Sequence, residues 1–85
     1  MITLKLTCGV CPEQYDAFLG DRLVGYLRLR HGFFYAACPN ASGEVVYEAE
    51  TIGDGIFASE EREMHLSKAT AAIVAWHNAN HLSCF

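Results

Sequence analysis

The sequence predicts an α+β fold, an antiparallel β-meander of 3-4 strands with one C-terminal helix packed on one face. Three observations carry this expectation. Ile2, Leu4 and Leu6 alternate with Thr3, Lys5 and Thr7, the period of a strand with one buried face. Within VGYLRLRHGFFYAAC two further alternating runs flank His31-Gly32, which reads as a hairpin with a two-residue turn. Leu66, Ala69, Ile73 and Trp76 recur at helical spacing and form one apolar stripe.

The first strand ends at Cys8-Gly9-Val10-Cys11-Pro12. The segment from Glu13 to Arg22 is ambiguous: Pro12 suits the first position of a short helix carrying Tyr15, Phe18 and Leu19, which Gly20-Asp21 would stop. From Leu23 the turn sets the register, with Arg30 opposite Phe33, Arg28 opposite Tyr35 and Tyr26 opposite Ala37. Leu27, Leu29, Phe34, Ala36 and Cys38 then share the apolar face. Residues 39–43 (Pro-Asn-Ala-Ser-Gly) form a loop by composition. Glu44 to Glu50 supplies the next strand, with Val45, Tyr47 and Ala49 inward and Val46, Glu48 and Glu50 outward. Gly53-Asp54-Gly55 breaks the sheet, and Ser59 is the expected N-cap of the helix. Ala71, Ala72 and Ala75 flank the helical stripe, which ends near Asn78 to Asn80.

A chain of 85 residues is one domain, 1–85, and at this size only about 60% of the unfolded surface is buried on folding. Hydrophobic residues make up 52% and charged residues 19%, which excludes a disordered chain. Six basic residues against ten acidic give a net charge of −4. That balance argues against direct nucleic-acid binding, which needs lysine and arginine to displace counterions. The first residues lack the basic stretch and apolar run of a signal peptide, and no window approaches the roughly 18 apolar residues of a membrane span. The expectation is a cytoplasmic protein in the host cell cytosol, without a membrane partner. Its four cysteines then stay reduced.

The outward face of the predicted sheet gathers Tyr26, Arg28, Arg30, Phe33, Tyr35, Glu48 and Glu50. Cross-strand Arg–Glu and aromatic pairs are ordinary on a half-wet sheet. Tyr, Phe and Arg are also the types enriched where proteins grip one another, and this face is the candidate partner-binding surface. A second candidate is an acidic patch of Asp54, Glu60, Glu61 and Glu63 around the helix start, where the helix dipole alone favours acids.

Cys8-x-x-Cys11 is the most specific chemical motif, since two thiolates at that spacing can hold one zinc ion. The remaining ligands would come from Cys38, Cys84, His77 and His81, but a second tight pair is absent, so this is half a site. The same motif follows a strand as a thioredoxin-type redox motif does, yet that chemistry needs a helix N-terminus and a βαβ unit. His31, His65, His77 and His81 pair with no serine or cysteine nucleophile by sequence. His31 is a turn residue, and His65 and His77 fall near the edge of the helical stripe.

The block VGYLRLRHGFFYAACPN, with VYEAETIGDGIF and EEREMHLSKATAAI, is similar to small uncharacterised proteins encoded by phages and prophages, over about residues 24–73. The resemblance carries no catalytic residues. It implies an accessory role, a compact protein acting stoichiometrically on host machinery. Anti-CRISPR proteins resemble this chain in being short, often acidic and without enzyme motifs, an analogy of class alone. The expected function is therefore a non-enzymatic binder of a host protein or ribonucleoprotein complex, needing no cofactor. The alternatives are a zinc-stabilised module built on Cys8 and Cys11, and a thiol oxidoreductase. An open-edged sheet also admits a homodimer.

Overall fold

A computed structural model describes residues 2–8 and 13–80. Five strands, β1 (Ile2–Cys8), β2 (Glu13–Leu19), β3 (Arg22–Arg30), β4 (Phe33–Cys38) and β5 (Glu44–Glu50), precede one helix, α1 (Ser59–Asn80). Each strand pairs antiparallel with the next in the order β1-β2-β3-β4-β5. This is the expected α+β meander with a helix across one face, one strand larger than the sequence indicated. The added strand is β2, where the pattern suggested a short helix instead. Its helix-facing residues are Glu13, Tyr15, Ala17 and Leu19, and a carboxylate and a phenol in that phase interrupt the apolar alternation of a strand.

The β3–β4 hairpin has the predicted register, Arg30 opposite Phe33, Arg28 opposite Tyr35 and Tyr26 opposite Ala37. Its turn places both His31 (φ 55°) and Gly32 (φ 74°) in the left-handed region, the type I′ geometry whose twist matches the strands. Leu27, Leu29, Phe34, Ala36 and Cys38 are fully buried on the helix side. They pack with Ala17, Val24, Phe57, Ala69 and Ile73 into one core. Gly25 lies directly beneath Ile73, where a Cβ would sit 2.8 Å from Ile73 Cδ1. Glycine lets the helix approach the sheet there.

Two bulges alter the faces. One lies between Ala17 and Phe18 opposite β3, and it sets Val24 and Gly25 in succession on the helix side. The other lies opposite Ala36 and Ala37, and it corrects the expected phase of β5. Val45 pairs with Ala37 on the outer face and is 49% exposed, whereas Val46 packs against the core. A single extra residue reverses the alternation on one side of it.

The helix buries a stripe of Glu61, His65, Ala69, Ile73 and His77, each four residues from the last. His65 and His77 are thus inward residues and not edge residues as their polarity suggested. His77 Nε2 donates to the Val24 carbonyl at 2.7 Å, serving a carbonyl at the β3 bulge. The capping position is Ala58 and not Ser59: the Ala58 carbonyl accepts from the Glu61 and Arg62 amides, and Glu61 Oε2 accepts from the Ala58 amide at 3.0 Å. That is half of a capping box. Among the described residues no helix is long and apolar enough to cross a membrane.

Candidate functional site: the outer sheet face

The helix covers one face of the sheet, and the other carries the predicted surface. Its rungs are fixed by pairing: Gln14, Arg28, Tyr35 and Glu48 lie in one row, Arg30, Phe33 and Glu50 in the next, and Lys5, Asp16, Tyr26, Ala37 and Val45 in a third. Tyr26, Arg28, Arg30, Phe33, Tyr35, Glu48 and Glu50 are therefore brought together on one side, as expected. The Tyr26 and Tyr35 rings lie 6.2 Å apart, and the Phe33 and Tyr35 rings stack at 6.4 Å. Phe33 is 42% exposed. Tyr26 donates its hydroxyl proton to Gln14 Oε1 at 3.1 Å, and burial, with Tyr35 beside it, raises its pKa against the pull of Arg28.

Arg28 and Arg30 share the face with Glu48 and Glu50, but among the described residues none of these four closes an ion pair. Arg28 Nε is buried with no hydrogen-bond partner among the described residues. A buried charged donor left open is costly unless something satisfies it. The face thus combines stacked aromatics, balanced charges and an unsatisfied donor.

The acidic patch does not assemble as expected. Asp54, Glu60 and Glu63 are exposed, but Glu61 is buried. Its carboxylate accepts from the backbone amides of Ile52 (2.9 Å), Gly53 (2.8 Å) and Ala58 (3.0 Å). Burial pushes its pKa up, and the three amides together with His65 outweigh that and hold it below the usual range. Glu61 organises the 51–58 loop and is not available to a partner.

Comparison with known proteins adds nothing to this geometry. No family model, curated protein or solved structure matches the chain. The site must be read from its own chemistry.

Two polar constellations lay hidden in the sequence. Glu13, at the start of β2, is 3% exposed and accepts from Arg62 Nε (3.0 Å), Arg62 Nη2 (3.1 Å), the Phe57 amide (3.1 Å) and the Tyr15 hydroxyl. Burial, then the hydrogen bond to Glu13, pushes the Tyr15 pKa up to about 12. The second is a chain from Tyr47 Oη to His65 Nδ1 (3.0 Å), and from His65 Nε2 to Glu61 Oε1 (3.6 Å). It has the order hydroxyl, imidazole, carboxylate of a catalytic triad. Yet His65 is buried, wedged among Phe34, Phe57 and Tyr47, and the groove lined by Ile2, Leu4, Arg62, Leu66 and Thr70 does not reach it. Phenol burial raises the Tyr47 pKa, the wrong direction for a nucleophile. The chain ties α1 to β5. The i,i+4 spacing of Glu61 and His65 was its only trace in the sequence.

Of the proposed zinc ligands, Cys11, Cys84, His81 and the Cys8 side chain lie outside the described residues. Cys38 is fully buried, and burial, with Glu44 nearby, pushes its thiol up to about 11. Cys38 packs within the core on the helix side of the sheet, and His77 Nε2 is engaged with the Val24 carbonyl.

Proposed function

We propose that this chain is a non-enzymatic binding module that grips a host protein through its outer sheet face and inhibits it stoichiometrically. One observation carries the reading: the helix lies wholly on the opposite side, leaving Tyr26, Arg28, Arg30, Phe33, Tyr35, Glu48 and Glu50 displayed on three consecutive rungs. Aromatics and arginine concentrate binding energy in protein interfaces. Two arginines matched by two glutamates leave the face without the net positive charge that a phosphate backbone requires. A protein surface of mixed charge around an apolar pocket is the better complement.

The small size, the net charge of −4 and the resemblance to phage-encoded proteins support a partner that handles nucleic acid, as in anti-CRISPR inhibition. Affinity purification from host lysate, followed by mass spectrometry, is expected to return one stoichiometric partner of that kind, and the partner's activity is expected to fall as the chain is added. The R28A/F33A/Y35A variant should lose the partner while keeping its circular dichroism spectrum. Binding that survives this triple change would show that another surface does the work.

A further inference from the structure

The sheet has two free edges, and they are built differently. On β5 the edge carries Glu44, Glu48 and Glu50. If β5 paired antiparallel with a copy of itself, registers centred on Glu48 or Ala49 would set glutamate against glutamate. Repeated like charge on an edge strand prevents such pairing. On β1 the one charged residue is Lys5, and among the described residues no strand pairs with its outer edge. Leu6 is 51% exposed beside it.

We infer that two copies of this chain pair antiparallel through β1, about a two-fold axis at Leu4. The register follows from three constraints. Opposed residues must lie on the same side of the joined sheet, and a two-fold axis through the joint then requires one residue to face its own copy. Centring on Lys5 sets two like charges together. Centring on Thr3 leaves Leu6, and centring on Leu6 leaves Ile2, without an opposing residue among those described. Centring on Leu4 sets Ile2 against Leu6, Leu4 against Leu4 and Thr3 against Lys5, so the apolar side chains meet on the helix side and the lysine faces a hydroxyl. Ile2 and Leu4 also line a groove of about 530 Å³ under Leu66 and Thr70 of α1. With both helices on one side, the two grooves join across the axis. A strand-to-strand joint is smaller than the roughly 1,600 Å² of a standard interface, so the dimer exchanges with monomer on dilution. The inference does not rest on the function proposed for the outer face.

Sedimentation velocity of the full chain in reductant, over a wide dilution series, tests it. Wild type is expected to pass from dimer to monomer. Thr3 and Lys5 are exposed on the outer face, so Thr3→Lys leaves the core intact while placing two symmetric like-charged pairs at the joint. It should raise the dimer Kd about tenfold, and Thr3→Glu should lower it several-fold. Ser42→Lys, exposed in the loop between β4 and β5, should leave it unchanged. A chain that stays monomeric throughout, or Thr3 variants with wild-type Kd, or an equal effect of Ser42→Lys, would overturn the inference.

Discussion

Glu13 and Arg62, 49 residues apart, close a two-pronged ion pair that fastens the start of β2 to the first turns of α1, with Nε–Oε2 at 3.0 Å and Nη2–Oε1 at 3.1 Å. The partners differ in setting: Arg62 is 40% exposed and Glu13 is 3% exposed. Loss of the carboxylate lets the arginine rehydrate but orphans the buried Phe57 amide and the Tyr15 hydroxyl. Glu13→Ala is therefore expected to cost about 2–4 kcal/mol. Glu13→Gln keeps an acceptor for Phe57 and should cost about half as much. Urea unfolding checks both, and a cost for Glu13→Ala below about 0.5 kcal/mol, the range of an inert surface change, would contradict this role.

The same carboxylate makes stability depend on acid. Burial raises the Glu13 pKa, but the hydrogen bonds from Arg62, Tyr15 and Phe57 outweigh it and leave the pKa below the ordinary value of 4.5. Glu61 is lowered in the same sense by its three backbone amides and His65. A lowered folded pKa gives stability that is fully present above the ordinary value and lost as pH falls through the folded one. The stability gap between wild type and Glu13→Gln, or Glu61→Gln, should thus be constant well above pH 4.5 and shrink below it. A gap that stays flat to strong acid would rule out this linkage.

Where an element obeyed one simple period, the sequence was enough to place it. A two-residue turn fixed the β3–β4 register, and with it five buried side chains and the membership of the outer face. Failure came where polar groups entered the interior. Glu13 and Tyr15 hid β2 because their partners, Arg62 and Phe57, arrive from distant segments. Glu61, His65 and His77 hid the true inward stripe of α1 for the same reason. The Val45–Val46 exchange had a different cause: a bulge adds one residue to one strand, and two adjacent valines give no signal of which is displaced. The gathering on the outer face was legible, but the open Arg28 Nε depends on three-dimensional crowding that spacing does not encode.

The hairpin turn supplies a stabilising prediction. His31 is held at φ 55°, a region where a non-glycine residue is strained and where asparagine is better tolerated. Asn-Gly is the favoured pair for a type I′ turn. Since His31 is exposed, His31→Asn removes no packing and should raise stability by about 0.5–1 kcal/mol. Gly32→Ala, at φ 74°, should lower it by more than that. Thermal melts of the two variants are expected to move in opposite directions, and a shift in the same direction would argue against the I′ geometry.

Gly25 and Ile73 should be energetically coupled. A Cβ on Gly25 would meet Ile73 Cδ1 at 2.8 Å and Cγ1 at 3.2 Å, and Ile73 is fully buried, so relief must come from the terminal methyl shifting within a closed core. Overpacking of this kind costs about 1–3 kcal/mol. Against it, alanine restricts the unfolded chain and recovers roughly 0.4–1 kcal/mol. Gly25→Ala alone should therefore destabilise by about 1 kcal/mol. Ile73→Val removes the offending methyl and should cost about 0.5–1.5 kcal/mol by itself. In the double variant the new methyl occupies the space left by the lost one, so the clash and the cavity cancel each other. The double variant should then be more stable than the sum of the single costs by about 1 kcal/mol. Strict additivity in a double-mutant cycle would mean that the helix does not rest on β3 at this glycine.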